Sequence, residues 1–342
     1  MSRWFRLVMF VTGASSLFGS LYVWHATNQQ AQVLMRAQQM RDHLYRTLRE
    51  EQNRPLAPGA DLSDSNLPMI YAITPTYNRP EQIAELTRLS QTLMHVPALH
   101  WIICEDATTA SEPLQRFLLN LKLPYTFLFA PMPSKYRDDK KMVYKPKGVA
   151  ARNAGMRWIR DNNKTGVFYF MDDDNSYDLR LFREMRYTQR VSMWPVGLVT
   201  GLALSTPVLK DGHLVGWYDG FIYGRKFPVD MAGFAVNVDY WRAAGEVEMP
   251  FKTSYEEDGF LRAIGISFSE LEFKANDCTE IYVWHTRTSK APKAKRTIFE
   301  PAFDDSNIRI LQNSMLIEPL TEANANKNYS SEVSKMMTLK TS

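Results

Sequence analysis

The stretch VFYFMDDDN, Val167 to Asn175, sets a short apolar run against three consecutive aspartates. A run of this length and composition reads as a strand buried on both faces. Three adjacent carboxylates at its end repel one another, and a divalent cation is the simplest way to make them tolerable. Hard oxygen donors suit magnesium or manganese. The competing reading is a helix N-terminus, because Asp174 to Asp178 precede the amphipathic run Leu179 to Tyr187 and acidic residues cap helices. Three in a row exceed what a cap needs. An EF-hand loop is excluded, since the sixth position from Asp172 is Tyr177, where glycine is required.

Outward from this stretch the chain alternates. Met69 to Thr74 reads as a strand stopped by Pro75, and Pro80 to Met94 as a helix with Ile83, Leu86, Leu89, Ser90 and Leu93 on one side. His100 to Cys104 is a second strand running into Glu105-Asp106, and Tyr125 to Ala130 a third. Val149 to Arg160 is a helix. The expected fold class is therefore α/β, a parallel sheet wound with helices. Ligands of such sheets sit beyond the carboxyl ends of the strands. Pro75, Thr76, Tyr77, Asp106 and the aspartate triplet all fall there. No G-x-G-x-x-G follows the first strand, which disfavours an NAD or FAD enzyme.

Composition agrees with a folded globular chain. Of 342 residues 45% are hydrophobic and 23% charged, which excludes disorder and collagen. The net charge of +4 is too small and too dispersed for a nucleic-acid binder. Cys104 and Cys278 are the two cysteines, so no cysteine-based zinc site fits; Cys104, inside a strand, reads as an inert core thiol.

Leu7 to Trp24 runs eighteen residues without a charge, bracketed by Trp4 and Trp24. As a helix it spans roughly 27 Å, near the thickness of a hydrocarbon core. Arg3 and Arg6 precede it and the next basic residue is Arg36, so residues 1–6 are expected in the cytoplasm and the rest in the lumen. A cleaved signal peptide is the alternative, but no small-x-small site follows the run. Residues 25–66 read as a stem, with Val33, Ala37, Met40, Leu44 and Leu48 on one helical stripe, either a short coiled coil or a solvated spacer. From Ala302 onward a disordered tail is expected. Asn163-Lys164-Thr165 and Asn328-Tyr329-Ser330 are glycosylation sequons in polar stretches.

Several longer motifs resemble one family. TPTYNRPEQIAELTRLSQTL (Thr74 to Leu93), LHWIICEDA (Leu99 to Ala107), YFMDDDNSYDLRLFREMR (Tyr169 to Arg186), WPVGLV (Trp194 to Val199), FPVDMAGFAV (Phe227 to Val236) and VWHTRT (Val283 to Thr288) are similar, in order, to the β-1,3-glucuronosyltransferases of glycosyltransferase family 43. The similarity runs from about Pro68 to about Lys290. It implies a GT-A catalytic domain over 67–300, with a UDP-binding half (67–175) and an acceptor-binding half (176–300). It also implies a type II Golgi membrane protein and a homodimer.

The implied reaction is an inverting transfer of glucuronate from UDP-glucuronate to the 3-hydroxyl of a terminal galactose, as in the proteoglycan linker. By position, Pro75, Thr76, Tyr77 and Asp106 would hold uridine, and Arg152, with Lys147 beside it, would meet the diphosphate. Asp172, Asp173 and Asp174 would bracket ribose and metal, with Asp174 the direct Mn2+ ligand. His285, Thr286 and Arg287 would bind the donor. The segment Phe221 to Asp230, with Arg225, would line the acceptor site, and Glu257 would be the catalytic base. The chemistry asks for such groups independently: diphosphate and glucuronate carry about three negative charges, which a metal and guanidinium forks offset. An inverting attack also needs one carboxylate to take the acceptor proton.

The chain departs from the family pattern at several points. Lys147 stands where a second arginine is usual, after the highly charged stretch KYRDDKKMVYKPK. Asp258 and Gly259 replace small hydroxyl residues. One extra residue lies at Asn276-Asp277-Cys278-Thr279, and placing that insertion earlier would move the base from Glu257 to Asp258. Two other readings keep the fold: a transferase of UDP-xylose, disfavoured by Arg287, and a catalytically silent glycan-binding scaffold.

Overall fold

The computed structural model describes residues 67–289 and, outside that span, Met35. The chain divides into two units, Met1–Pro55 and Leu56–Ser342, and the strands and helices below lie in the second. The expected anchor over residues 7–24, the stem apart from Met35, the tail and Asn328 fall outside the described residues. Among the described residues no helix is long and apolar enough to cross a membrane.

Strands β1 (Ile70–Thr76), β2 (Leu99–Glu105), β3 (Tyr125–Phe129) and β4 (Val167–Phe170) pair in parallel in the order β4-β1-β2-β3. Helices α1 (Gln82–Leu93), α2 (Glu112–Asn120) and α3 (Val149–Asp161) supply crossovers. The alternation expected from the sequence is present, with α2 in addition. Its start was legible: Ser111 accepts from the Leu114 backbone N–H, and a proline follows in the first turn.

β1 does not stop at Pro75 but continues to Thr76, in register with β2. The reason lies on the other side. β4 pairs with β1 only over Ile70 to Ile73, so a proline lacking an N–H two residues on removes no ladder bond. The parallel arrangement also ends at β4. Among the described residues the sheet extends as β11-β6-β10-β4-β1-β2-β3, where β6 is Val191–Met193, β10 is Phe234–Asn237 and β11 is Leu271–Phe273. β10 enters beside the carboxyl end of β4 and so runs back antiparallel to it. The result is a mixed sheet rather than the expected parallel one.

A second sheet has the order β5-β12-β7-β8-β9. Its members are β5 (Ser176–Tyr177), β7 (Val196–Gly197), β8 (Leu204–Lys210), β9 (His213–Tyr218) and β12 (Val283–Trp284). β12 lies between β5 and β7 because Gly197 leaves room for Trp284: a Cβ there would stand 2.6 Å from the indole Cδ1. The extra residue, Asp277, sits in a turn where Ala275 to Cys278 all have positive φ, between 50° and 60°. Asn276 and Asp277 are the side chains that tolerate that region best.

An aromatic core fixes the far half of the site. Phe168, Phe170 and Phe234 on the sheet meet Phe260 of helix α6 (Glu256–Ile264), and Phe168 meets Trp241 of α5 (Val238–Ala243), at ring separations of 5.4–6.4 Å. Such pairs each add about 0.5–1.5 kcal/mol beyond burial. The first turn of α6, which carries Glu257, is thereby anchored to β4, which carries the aspartates. Helix α4 (Leu179–Met185) follows the triplet. Cys104 and Cys278 are free thiols, and burial pushes Cys278 up to about 12 and Cys104 further. Neither is poised for chemistry.

Candidate active site

The carboxyl ends of β1, β2 and β4 meet. Thr76, the last residue of β1, donates its hydroxyl to Asp173 Oδ2 at 2.7 Å, and Asp173 Oδ1 accepts from Arg79 at 2.7 Å. The Arg79 guanidinium carbon stands 4.7 Å from the centre of the exposed Tyr77 ring. Beside them the Asp106 N–H bonds the Thr76 carbonyl, and its carboxylate takes the Met132 N–H at 2.6 Å. Pro75, Thr76, Tyr77 and Asp106 thus surround one strand-end corner, with a flat ring and a carboxylate of the kind that would hold a pyrimidine. Arg79 was not anticipated, and neither were the buried Gln82 and Glu105 behind Thr76. The signal for Glu105 was a carboxylate ending an otherwise apolar strand.

Asp178, not the triplet, caps α4, accepting from the Arg180 N–H at 2.8 Å. The capping explanation of Asp172 to Asp174 therefore fails. Asp172 pairs with Arg152 at 2.5 Å. Arg152 lies at the start of α3, where Gly148 adopts φ +74 and a Cβ would come 2.6 Å from its Nη1. The positive φ is what favours glycine there. Asp174 is the member whose carboxylate takes no ion pair among the described residues. Its main-chain carbonyl accepts from Arg88 and from Thr286, and its carboxyl is pushed up to about 6 by burial and then by Asp173 and Asp172. A half-buried carboxylate held up by its neighbours' charge suits a cation. Among the described residues no group of three or more ligating side chains gathers. Asp174 alone would suit a hard divalent cation that brings further oxygen ligands of its own, and would not make an all-protein cage.

The segment after β12 joins the two halves. The Thr286 hydroxyl donates to the Asp174 carbonyl at 2.5 Å, and the His285 N–H bonds Gly197 O at 2.8 Å. His285 Nδ1 meets Asp230 Oδ2 at 3.0 Å. That contact pushes the imidazole up to about 9, so it is cationic at neutral pH. Asp230 Oδ1 takes the Ala232 N–H at 2.9 Å, which fixes the carboxylate toward the histidine.

Glu257 lies 3.7 Å from Arg225 Nη2, their side chains 16% and 8% exposed. Oε2 of Glu257 is buried without a hydrogen bond. Burial pushes this carboxyl up to about 7, with Arg225 opposing. Arg225 also bonds the Ser254 carbonyl and lies over the Phe221 ring, 4.7 Å from its centre. Asp258 is committed elsewhere: it accepts the Lys226 and Phe227 N–H groups at 2.6 and 2.8 Å and pairs with Arg262 at 2.7 Å. Of Glu257 and Asp258, only Asp258 is committed in this way.

Not every expected residue is gathered in. Lys147 is exposed, although its carbonyl accepts from Arg152 at 3.5 Å, and Arg287 is exposed. Phe221 forms part of a rim with Tyr255, their rings 6.2 Å apart. Asn163 is exposed at the end of α3 with φ 47, accessible to a modifying enzyme.

The model of glycosyltransferase family 43 matches residues 89–289. The chain belongs to that family. It is 46% identical to galactosylgalactosylxylosylprotein 3-beta-glucuronosyltransferase S of Drosophila melanogaster over 272 residues, 79% of this chain and 66% of that protein. It is 50% identical to glucuronosyltransferase P of the same organism, over 67% of this chain and 47% of the other. The human galactosylgalactosylxylosylprotein 3-beta-glucuronosyltransferase 2 is 44% identical over 71% of this chain and 75% of its own. The chain thus spans less than two thirds of the length of the two fly relatives. Family membership covers the triplet, the His285 segment and Glu257 alike.

Proposed function

We propose that this chain is an inverting β-1,3-glucuronosyltransferase with a GT-A catalytic domain, moving glucuronate from UDP-glucuronate to the 3-hydroxyl of a terminal galactose, as in the proteoglycan linker. The observation that carries the reading is the joining of donor and acceptor residues through one segment. Thr286 bonds the Asp174 loop, while the neighbouring His285 pairs with Asp230. The names of the relatives at 44–50% identity support the donor and the acceptor.

Tyr77 and Asp106 take the uracil, and Asp172 and Asp173 the ribose. Arg152 and the His285 imidazolium face the diphosphate, while exposed Lys147 and Arg287 are assigned to the diphosphate and the glucuronate carboxylate by the family resemblance alone. Phe221 and Arg225 seat the galactose. A bound Mn2+ on Asp174 would stabilise the charge developing on departing UDP. Glu257 takes the proton of the acceptor O3 as that oxygen bonds to C1 and the bond from C1 to the diphosphate breaks. A carboxyl near pH 7 is suited to that exchange, and its presence disfavours a silent scaffold. The reading places the chain as a type II Golgi membrane protein anchored by residues 7–24, a homodimer, with Asn163 glycosylated.

The test is Asp174→Ala. Turnover should vanish while the fold and uridine binding persist, and native activity should disappear with chelator and return with manganese. Near-native turnover of the variant in manganese would remove the metal site from the triplet.

A further inference from the structure

Behind the uridine corner lies a polar chain that the proposed chemistry does not use. Glu105 ends β2 fully buried, and Gln82, the first residue of α1, is buried against it. The Gln82 amide nitrogen is 3.2 Å from Glu105 Oε1 and 3.2 Å from Thr76 Oγ1. A primary amide has two N–H groups, so both donors are used. Burial raises the Glu105 carboxyl to about 7; ionised, above that pH, it only accepts, and turning the Gln82 amide over would set oxygen against oxygen. Glu105 therefore decides which way the amide points. The amide in turn decides the Thr76 hydroxyl: that oxygen receives a proton from Gln82 and must give its own elsewhere. It gives it to Asp173 Oδ2, and Arg79 takes the other oxygen.

We infer that Gln82 and Glu105 are positioning residues for the ribose of the nucleotide, setting through Thr76 the plane in which Asp173 presents its remaining lone pairs to a pair of vicinal hydroxyls. A buried acid is a costly way to fill a strand end, since Glu105 Oε2 has no hydrogen-bond partner. A core position that needed only volume would be met by leucine. Directing an amide requires a group that accepts and does not donate, which Glu105 is in its ionised form.

The inference rests on the proposed placement of ribose at Asp173. The experiment is calorimetric titration at about pH 8.5, where Glu105 is ionised, with UDP and with 2′,3′-dideoxyuridine diphosphate, for the native protein, Gln82→Met and Glu105→Gln. Glu105→Gln keeps size and an acceptor but lets the amide turn, so it reads the positioning even if Gln82→Met is poorly folded. The native protein should prefer UDP by about tenfold or more, the contribution of a hydrogen bond to a charged group. Both variants should bind the dideoxy compound as the native protein does, and UDP less than about threefold better. Equal losses for both nucleotides would indicate a structural role only and overturn the inference, as would an undiminished preference. If the native protein binds UDP without preference, ribose is not at Asp173 and the inference falls with that placement. If it binds no UDP, the proposed function itself is wrong.

Discussion

Replacing Arg225 by glutamine should move the pH dependence of turnover, not only its height. The guanidinium stands 3.7 Å from Glu257 Oε2, and both groups are largely buried. At an effective dielectric of about 20, that separation gives roughly 4 kcal/mol of attraction for the ionised acid, or about three pH units of titration. Water entering the vacated volume would halve it. Burial already holds the native carboxyl at about 7, with Arg225 the first influence opposing it. Removing the cation therefore drives the acid further toward its protonated form. The acid limb of kcat/KM should lie near pH 7 in the native enzyme and about 1.5–3 units higher in Arg225→Gln. Glutamine retains a donor for the Ser254 carbonyl, which limits collapse of the loop. The assay is transfer to a galactoside from about pH 5.5 to about 9.5, with UDP affinity checking that the donor side is intact. A uniformly lower rate with the limb still near 7 would mean that Arg225 only seats the acceptor, and the coupling argued from 3.7 Å would be wrong.

Two further outcomes follow from the pairings. Asp230→Asn removes the main cause that raises His285 to about 9, so the imidazole should fall back toward 6.5. The native protein keeps that cation until pH rises through about 9, whereas the variant should lose UDP affinity already between about 6.5 and 9; parallel affinity curves would contradict this. Asp258→Asn should cost about 2–3 kcal/mol of stability, because the acid holds two backbone N–H groups and Arg262, but should leave turnover per folded molecule within about tenfold. Thermal denaturation and active-site titration separate the two effects, and a stable but dead Asp258→Asn would return the base to that residue.

Much of the donor side was legible because its signals are local. VFYFM followed by three aspartates, and LHWIIC followed by Glu105-Asp106, each place carboxylates at the end of an apolar run. A parallel sheet aligns such ends. Spacing disfavoured the capping alternative for the triplet but did not name the residue that caps the helix. Only the Asp178 bond to the Arg180 N–H shows that the cap is already supplied. The second half was less readable. β10 turns antiparallel because of where it enters, beside the end of β4, and nothing in FAVN encodes that. The short strands β5, β7 and β12 hold two residues each, too few for a period to show. Arg79 lies in a polar turn that reads as solvent-facing and Gln82 at the polar start of the expected helix, and their roles arise from pairing across more than twenty residues or, with Asp173, more than ninety. Pro75 misled for a specific reason: a proline ends a strand only where a neighbour needs its N–H.

The central claim is donor and acceptor identity. The decisive measurement is incubation of the full chain with manganese, a terminal β-galactoside and either UDP-glucuronate or UDP-xylose, with the linkage and anomeric configuration of the product read by NMR. The account predicts β-1,3-linked glucuronate from UDP-glucuronate, with UDP-xylose poorer by at least about 2 kcal/mol in transition-state terms because it offers Arg287 no carboxylate. Equal transfer from both donors, an α-linked product, or no transfer by a chain that binds UDP would contradict it.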